Sequence, residues 1–120
     1  MQFLVLLAEA DHFDRWDATG DDDRARYFAD YNAFADAVRQ RGTLIAGDAL
    51  HRPESARTVR PGTPRTVTEG PFAETVEQIG GVYVIDTSDV DGLMSLVTEL
   101  ARTERAVEVR ATVDHSGGAA

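Results

Sequence analysis

The chain has 120 residues, a length typical of one domain, and it contains no cysteine. It therefore has no disulfide, no thiolate nucleophile and no cysteine-ligated zinc. All 12 basic residues are arginine, which excludes Schiff-base chemistry on lysine. Because the formal net charge is −9, the chain as a whole repels a phosphate backbone, and we expect no nucleic-acid partner.

Hydropathy predicts neither a membrane span nor a secretion signal. No apolar run approaches the roughly 18 residues that cross a bilayer. The apolar run Phe3–Ala8 has no basic region before it, so it is interpreted as a strand. We therefore expect a cytoplasmic protein with no membrane partner.

The first half of the chain predicts a strand, an acidic loop, a long helix and a second strand. Strand Gln2–Ala8 is apolar on consecutive positions, and residues 11–23 form the acidic loop. The helix spans Asp21–Arg41, and Gly42 is predicted to end it as a left-handed cap. Strand Thr43–Leu50 follows. The apolar stripe of the helix recurs at helical spacing through Tyr27, Tyr31, Phe34 and Val38.

The second half predicts a hairpin, two strands and one helix. Short β-prone pieces surround a Pro-Gly-Thr-Pro turn, which predicts a small β-hairpin insert at Arg57–Thr68. Strand Val82–Thr87 is apolar on consecutive positions from 82 to 85. A helix begins at Ser88, whose pairing with Asp91 resembles a capping box. An alternating strand covers Ala106–Val113, so a single domain spans residues 1–113, and residues 114–120 are predicted to form a flexible tail.

The order of these elements predicts an α+β fold with a ferredoxin-like βαββαβ arrangement. Two strands that are apolar on both faces should be central, flanked by the two more polar strands. Right-handed crossovers then place both helices on one face of the antiparallel sheet. Leaving the other face in water would forgo roughly 1.5–3 kcal/mol per aliphatic side chain, so we expect a homodimer that covers it.

One turn carries a more specific signal. Glu69-Gly70-Pro71-Phe72-Ala73-Glu74 is followed by Gly80-Gly81 and an apolar strand. Gly70 supplies conformational freedom and Pro71 fixes its own φ, so the pair forms a turn. This stretch, with Gly47–Leu50 and Val107–Arg110, resembles the YCII-related, DGPF-type family of small bacterial proteins. Glu69 stands where that signature usually has Asp.

The resemblance implies a dimeric α/β barrel, in which two ferredoxin-like subunits turn their sheets toward each other. The resemblance does not imply a particular reaction. The better-studied branch of the family is associated with a His–Asp pair whose His lies on the first helix. The predicted helix Asp21–Arg41 contains no His, so that pair cannot be assigned to any position here.

Two residues are candidates for acid–base catalysis. Glu69 in a barrel mouth would have its carboxyl pKa raised by burial; alternatively it caps the N–H groups of its turn. His51 follows the second strand and titrates near neutral pH, although a histidine at a strand end is also a common structural residue. The Asp11-His12-x-Asp14 spacing matches no strong metal motif, and we expect no metal and no cofactor.

Four residues are candidates for ligand binding. Arg110 faces the space between subunits if Val107 and Val109 face the helices; it would then grip a carboxylate or phenolate, or pair with Glu108. Asp48 is the one charge on its strand and needs a specific partner. The remaining candidates, each with a structural alternative, are Phe72 as a pocket cover or core plug and Glu74 as a pocket or surface carboxylate.

The sequence therefore leaves two functions open. The first is a homodimer with a small-molecule pocket for an anionic or aromatic compound, with proton-transfer or lyase-type chemistry if it is an enzyme. The second is a regulatory interaction module, since the resemblance implies a link to alternative sigma factors. The acidic segment at 11–23 and the arginine-rich segment at 52–65 would then engage partners of opposite charge.

Overall fold

A computed structural model describes residues 1–9, 12–71, 78–102 and 106–114, without the side chains of Glu9 and His12. Phe72, Glu74 and residues 115–120 of the predicted tail lie outside the described residues. The helices are α1 (His12–Ala18), α2 (Asp21–Arg41) and α3 (Val90–Leu100), with one 3₁₀ turn at Pro53–Ser55. The strands are β1 (Gln2–Glu9), β2 (Thr43–Ala49), β3 (Arg57–Arg60), β4 (Thr66–Glu69), β5 (Gln78–Asp86) and β6 (Ala106–Ala111).

The main sheet confirms the predicted α+β, ferredoxin-like arrangement. Its four strands are antiparallel in the order β2-β5-β1-β6, so the two most apolar strands are central. Because side chains alternate along a strand, Phe3, Val5 and Leu7 of β1 face the helices and are buried. Leu4 and Leu6 point to the opposite face, called here the open face.

The core lies between the sheet and helices α2 and α3. Val5 and Ile85, at the centre of the sheet, are fully buried. Phe34 and Val38 of α2 pack onto them, as the predicted stripe requires. Leu93, Val97 and Leu100 complete the core from α3.

Three local predictions were wrong. The segment that the sequence analysis described as an acidic loop contains helix α1. Gly42 has an extended φ of −178° and is not a left-handed cap. A Cβ at this position would stand 2.3 Å from the carbonyl oxygen of Asp86, so the close approach of these two backbone segments requires glycine. Helix α3 is capped by Asp89, whose side chain accepts the Gly92 N–H at 3.0 Å, and not by Ser88.

The predicted hairpin is confirmed as a separate two-stranded sheet formed by β3 and β4. Gly70 follows it with a φ of 101°, a left-handed value that uses the conformational freedom of glycine. The Thr58 hydroxyl donates to the Gly70 carbonyl at 2.9 Å, and the Gly70 N–H donates to the Ala56 carbonyl at 2.7 Å. These bonds close the base of the hairpin.

Within the described part of the chain, none of the helices combines the length and the apolar character needed to cross a bilayer.

The Asp89 cap generates a prediction about acid stability. The Gly92 N–H and, next, the Arg41 guanidinium lower the pKa of the Asp89 carboxyl from its ordinary value of 3.8. A carboxyl group whose pKa falls on folding stabilises the folded protein at pH values above its ordinary pKa. This stabilisation is lost as the pH falls through the lowered pKa. Asp89→Ala should therefore lower the melting temperature at neutral pH, by an amount that shrinks below about pH 3.8.

Thermal unfolding followed by circular dichroism across this pH range measures the effect. Asp91→Ala removes a carboxylate from the same first turn and is the matched control. Equal losses for the two variants, or a loss at Asp89 that does not change with pH, would contradict the assignment.

Candidate functional site

A cleft of about 430 Å³ opens between helices α1 and α2 and the β2 side of the sheet. Strand β2 is at the edge of the sheet, and most of its residues are exposed. Five aromatic side chains contribute to the wall, which is largely apolar: Phe13, Trp16, Phe28, Tyr31 and Tyr83. The other lining residues are Leu7, Gly47–Leu50 and the pair Gly80 and Gly81. We call this site the aromatic cleft.

Helix α1 brings two of the five aromatic residues to the cleft. Trp16 packs edge-on against Phe28 of α2, with ring centroids 5.5 Å apart, a favourable aromatic geometry. The Arg24 guanidinium lies 4.8 Å from the centre of the Trp16 ring and also donates to the Trp16 carbonyl at 2.7 Å. These contacts join α1 to α2.

Glycines in the floor of the cleft make room for the large side chains around it. A Cβ on Gly47 would stand 2.6 Å from Cδ1 of Tyr83, closer than real contacts allow. A Cβ on Gly81 would stand 3.2 Å from Leu7, also a tight distance. Tyr83 in turn packs against Phe34, with ring centroids 5.1 Å apart. The position of the Tyr83 ring therefore depends on the absence of a side chain at Gly47.

Arg52 joins the segment after β2 to helix α1 at the rim of the cleft. Its guanidinium forms an ion pair with Asp17 and lies 5.7 Å from the centre of the Phe13 ring. The basic and acidic segments recognised in the sequence thus contact each other here. Because both charged side chains are partly exposed, the pair orients α1 more than it stabilises the fold.

Two of the predicted site residues lie at or beside the cleft. Asp48 is among the lining residues, and its cross-strand neighbour is Val82, which has its side chain on the open face. His51 is exposed and directly follows Leu50, the last cleft residue of this segment. Glu69 ends the hairpin strand β4, is exposed, and is not among the residues that line the cleft.

Arg110 lies on the opposite edge strand, away from the cleft. It faces the open face together with Glu108, because Val107 and Val109 pack toward the core as predicted. Arg110 Nη2 stands 2.7 Å from Glu108 Oε2, which is the ion pair that the sequence left as an alternative to ligand binding. Glu69 and Arg110 therefore do not share a site with Asp48 in this chain.

The sequence reasoning missed the aromatic wall, although a signal for it exists. Phe13 and Trp16 are three residues apart, the spacing of neighbours on one helix face. Thr19 and Gly20 then break the pattern before α2 begins. The density of aspartates around these two rings led to the interpretation as a loop.

No cluster of three or more His, Asp or Glu side chains suited to a metal ion occurs in residues 1–9, 12–71, 78–102 and 106–114.

A ferredoxin-like sheet with helices on one face and an apolar cleft beside them defines a small α+β domain. The sequence model of the YCII-related domain matches residues 1–115, nearly the whole chain, and the protein belongs to this family. The predicted membership of the YCII-related family is thereby confirmed. No curated protein gives a significant match, so family membership identifies the domain without naming a reaction.

The Gly47–Tyr83 contact can be tested by a double-mutant cycle. Gly47→Ala should cost about 1–3 kcal/mol of unfolding free energy, because the methyl group overpacks against the ring. In a Tyr83→Ala background the added methyl group meets open space, so this cost should nearly vanish.

Urea unfolding of the four proteins gives the coupling energy. Gly20→Ala is the control, since a Cβ at Gly20 meets nothing within 4 Å. A cost for Gly47→Ala that is the same in both backgrounds would show that Tyr83 does not set the shape of the floor.

Proposed function

We propose that this protein binds a small planar aromatic compound in the aromatic cleft. The observation that supports the proposal best is the convergence of five aromatic side chains on one cleft of about 430 Å³. That volume lies within the range of roughly 300–1,000 Å³ typical of small-molecule sites. Phe28 is 56% exposed although it lines the cleft, so an apolar ring is left for a ligand to cover.

The lining favours an uncharged ring over an anionic one. None of the described residues that line the cleft is basic, so the lining offers no positive charge to attract an anion. The Asp48 side chain lies on the open face with that of its cross-strand neighbour Val82, so Asp48 contributes its backbone to the cleft. The guanidinium at the rim, on Arg52, is already paired with Asp17. The geometry thus supports the aromatic part of the sequence-based expectation more than the anionic part.

If the protein is an enzyme, we propose cofactor-free proton transfer or lyase-type chemistry with His51 as the base. Its exposed side chain follows directly after a cleft residue, and imidazole is the side chain most often used in general acid–base catalysis. Glu69 and Arg110 have less support in these roles, because neither lines the cleft. Roles for Phe72 and Glu74 stay predictions.

We also propose a homodimer that pairs the open faces of two sheets. The side chains of this face alternate with the buried ones, and both helices of the core cover the other side. Its centre is aliphatic, and charged residues at the margins include Glu108 and Arg110. The aliphatic centre consists of Leu4, Leu6, Val82 and Val84.

The alternative function, a regulatory module linked to an alternative sigma factor, has less support. It requires the acidic and basic segments to be available to other proteins. Asp17 and Arg52, one from each segment, are instead paired within the chain. The remaining charges of both segments keep the alternative testable by pull-down with charge-reversed variants.

Ligand binding can be measured with 2-naphthol, its anionic analogue 2-naphthoate and non-aromatic cyclohexanol. Trp16 is the only tryptophan, so the single indole N–H signal in a ¹H–¹⁵N spectrum reports on the cleft. We expect 2-naphthol to shift this signal and to bind more tightly than the other two. Phe28→Ala should weaken binding about tenfold, or about 1.4 kcal/mol, through lost aromatic contact.

Met94→Ala removes a comparably exposed apolar side chain from α3 and should leave binding unchanged. Absence of any shift at millimolar 2-naphthol, or equal weakening by both variants, would refute the proposed site.

The assembly is tested by sedimentation velocity at micromolar concentration. Val84→Arg places a charge in the middle of the open face and should convert the dimer to a monomer while circular dichroism stays native. Val90→Arg adds the same charge at an exposed position at the start of α3 and should leave the dimer intact. A monomeric native chain, or a Val84→Arg variant that still dimerises, would overturn the open-face dimer.

A further inference from the structure

The hairpin formed by β3 and β4, residues 57–69, is a sheet of its own beside the main one; we call it the arm. It forms its own two-stranded sheet and adds no strand to the main one. The radius of gyration is 16.5 Å, against about 14 Å expected for a compact domain of this length. Isolated two-stranded hairpins are at best marginally stable in water, so the arm needs a surface to pack against.

One face of the arm is apolar at its centre, and the arm as a whole carries an excess of positive charge. Arg57 lies opposite Glu69 on the apolar face, and Arg60 lies with Thr58 on the other face. Val59 and Val67 are direct cross-strand neighbours and are 59% and 64% exposed. The arm also carries three arginines against a single acid, Glu69, in a chain whose net charge is −9. It is therefore a basic element attached to a strongly acidic body. Its arginines are Arg57, Arg60 and Arg65.

A complementary surface lies on the first turns of α2. Asp21, Ala25 and Phe28 are spaced i, i+4 and i+7, so they lie on one face of the helix. Phe28 is 56% exposed, and Asp21 and Asp22 are exposed acids at the start of the helix. This surface, called the α2 face, is an apolar ring with negative charge beside it. It is complementary to the arm, which has two exposed valines and an excess of positive charge.

The two surfaces do not cover each other within one chain. Val59, Val67 and Phe28 all keep more than half of their surface exposed, so neither apolar surface is covered within the chain. Arg52 holds the base of the arm beside α1 of its own chain, while the strands of the arm continue beyond it. The acidic charge that complements the arm is therefore available on a second copy.

We propose that the arm of one copy docks on the α2 face of a second copy. Val59 and Val67 pack on Phe28, and the arginines of the arm approach Asp21 and Asp22. Because the same contact serves both subunits, two arms are exchanged around a two-fold axis. Phe28 also lines the aromatic cleft, so the arm of the second copy covers the outer edge of that cleft. Only this last consequence rests on the ligand site proposed above.

The absence of native cysteine makes the contact directly measurable by cross-linking. One preparation carries Thr66→Cys in the arm, and the other carries Ala25→Cys on the α2 face with an affinity tag that changes its size. After mixing and treatment with a short bismaleimide, we expect cross-linked pairs of one chain of each kind. The matched control is Ser95→Cys, an exposed position on α3, where the yield should be at least about tenfold lower because no contact raises the local concentration.

Two sets of variants test the two parts of the contact. Val59→Thr with Val67→Thr keeps β-branched side chains on the hairpin but removes apolar surface, and it should reduce the yield about tenfold. Arg57→Glu with Arg65→Glu should also reduce it, as should Asp21→Arg with Asp22→Arg. Mixing the reversed arm with the reversed helix should restore the yield, because the charges are again complementary.

The outcomes separate this inference from the proposed function. Equal yields at Ala25→Cys and Ser95→Cys, or no rescue by the paired charge reversals, would overturn arm docking even if 2-naphthol binds and the chain sediments as a dimer. Specific cross-linking that is lost in the threonine variant would support arm docking even if no probe binds the cleft.

Discussion

The structure depends on the packing of β1 and β5, side by side, against helices α2 and α3. Val5 and Ile85 sit at the centre of this layer with no exposed surface. The edge strands β2 and β6 are attached to this pair, and each is consequently covered less well. The aromatic cleft lies on the β2 side, where the helical layer no longer fills the space above the sheet. The position of the cleft therefore follows from the packing of the helices over the central strands β1 and β5 and not over β2.

The cleft combines a floor of small residues with a wall of large rings. Gly47 leaves room for Tyr83, and the rings of α1 and α2 form the opposite side. Such an arrangement leaves apolar surface unfilled within one chain, since Phe28 keeps half of its ring in contact with solvent. A ligand in the cleft and a second copy on the α2 face would each bury part of this surface. The two proposals thus share one physical origin.

Arginine side chains connect elements that the core does not hold together, and the chain contains arginine but no lysine. Arg24 stacks on Trp16 and joins α1 to α2, Arg52 joins the segment after β2 to α1, and Arg41 reaches the Asp89 cap of α3. Guanidinium groups suit this role because they pair with carboxylates and also stack on rings. Because aspartate and glutamate outnumber arginine in the sequence, carboxylates are abundant as partners for these guanidinium groups.

Local chemistry determined the elements that have a regular period or a strict turn. The apolar runs of β1 and β5, the stripe of α2, the alternation of β6 and the positive φ of Gly70 follow from neighbouring residues, and they led to the correct strand order. Tertiary structure decided the rest. The conformation of Gly42 depends on the close approach of the Asp86 carbonyl, which belongs to a strand distant in sequence. Helix α1 is held in place by contacts with Arg24, Phe28 and Arg52. The cleft is a space between elements, so no single segment of sequence encodes it.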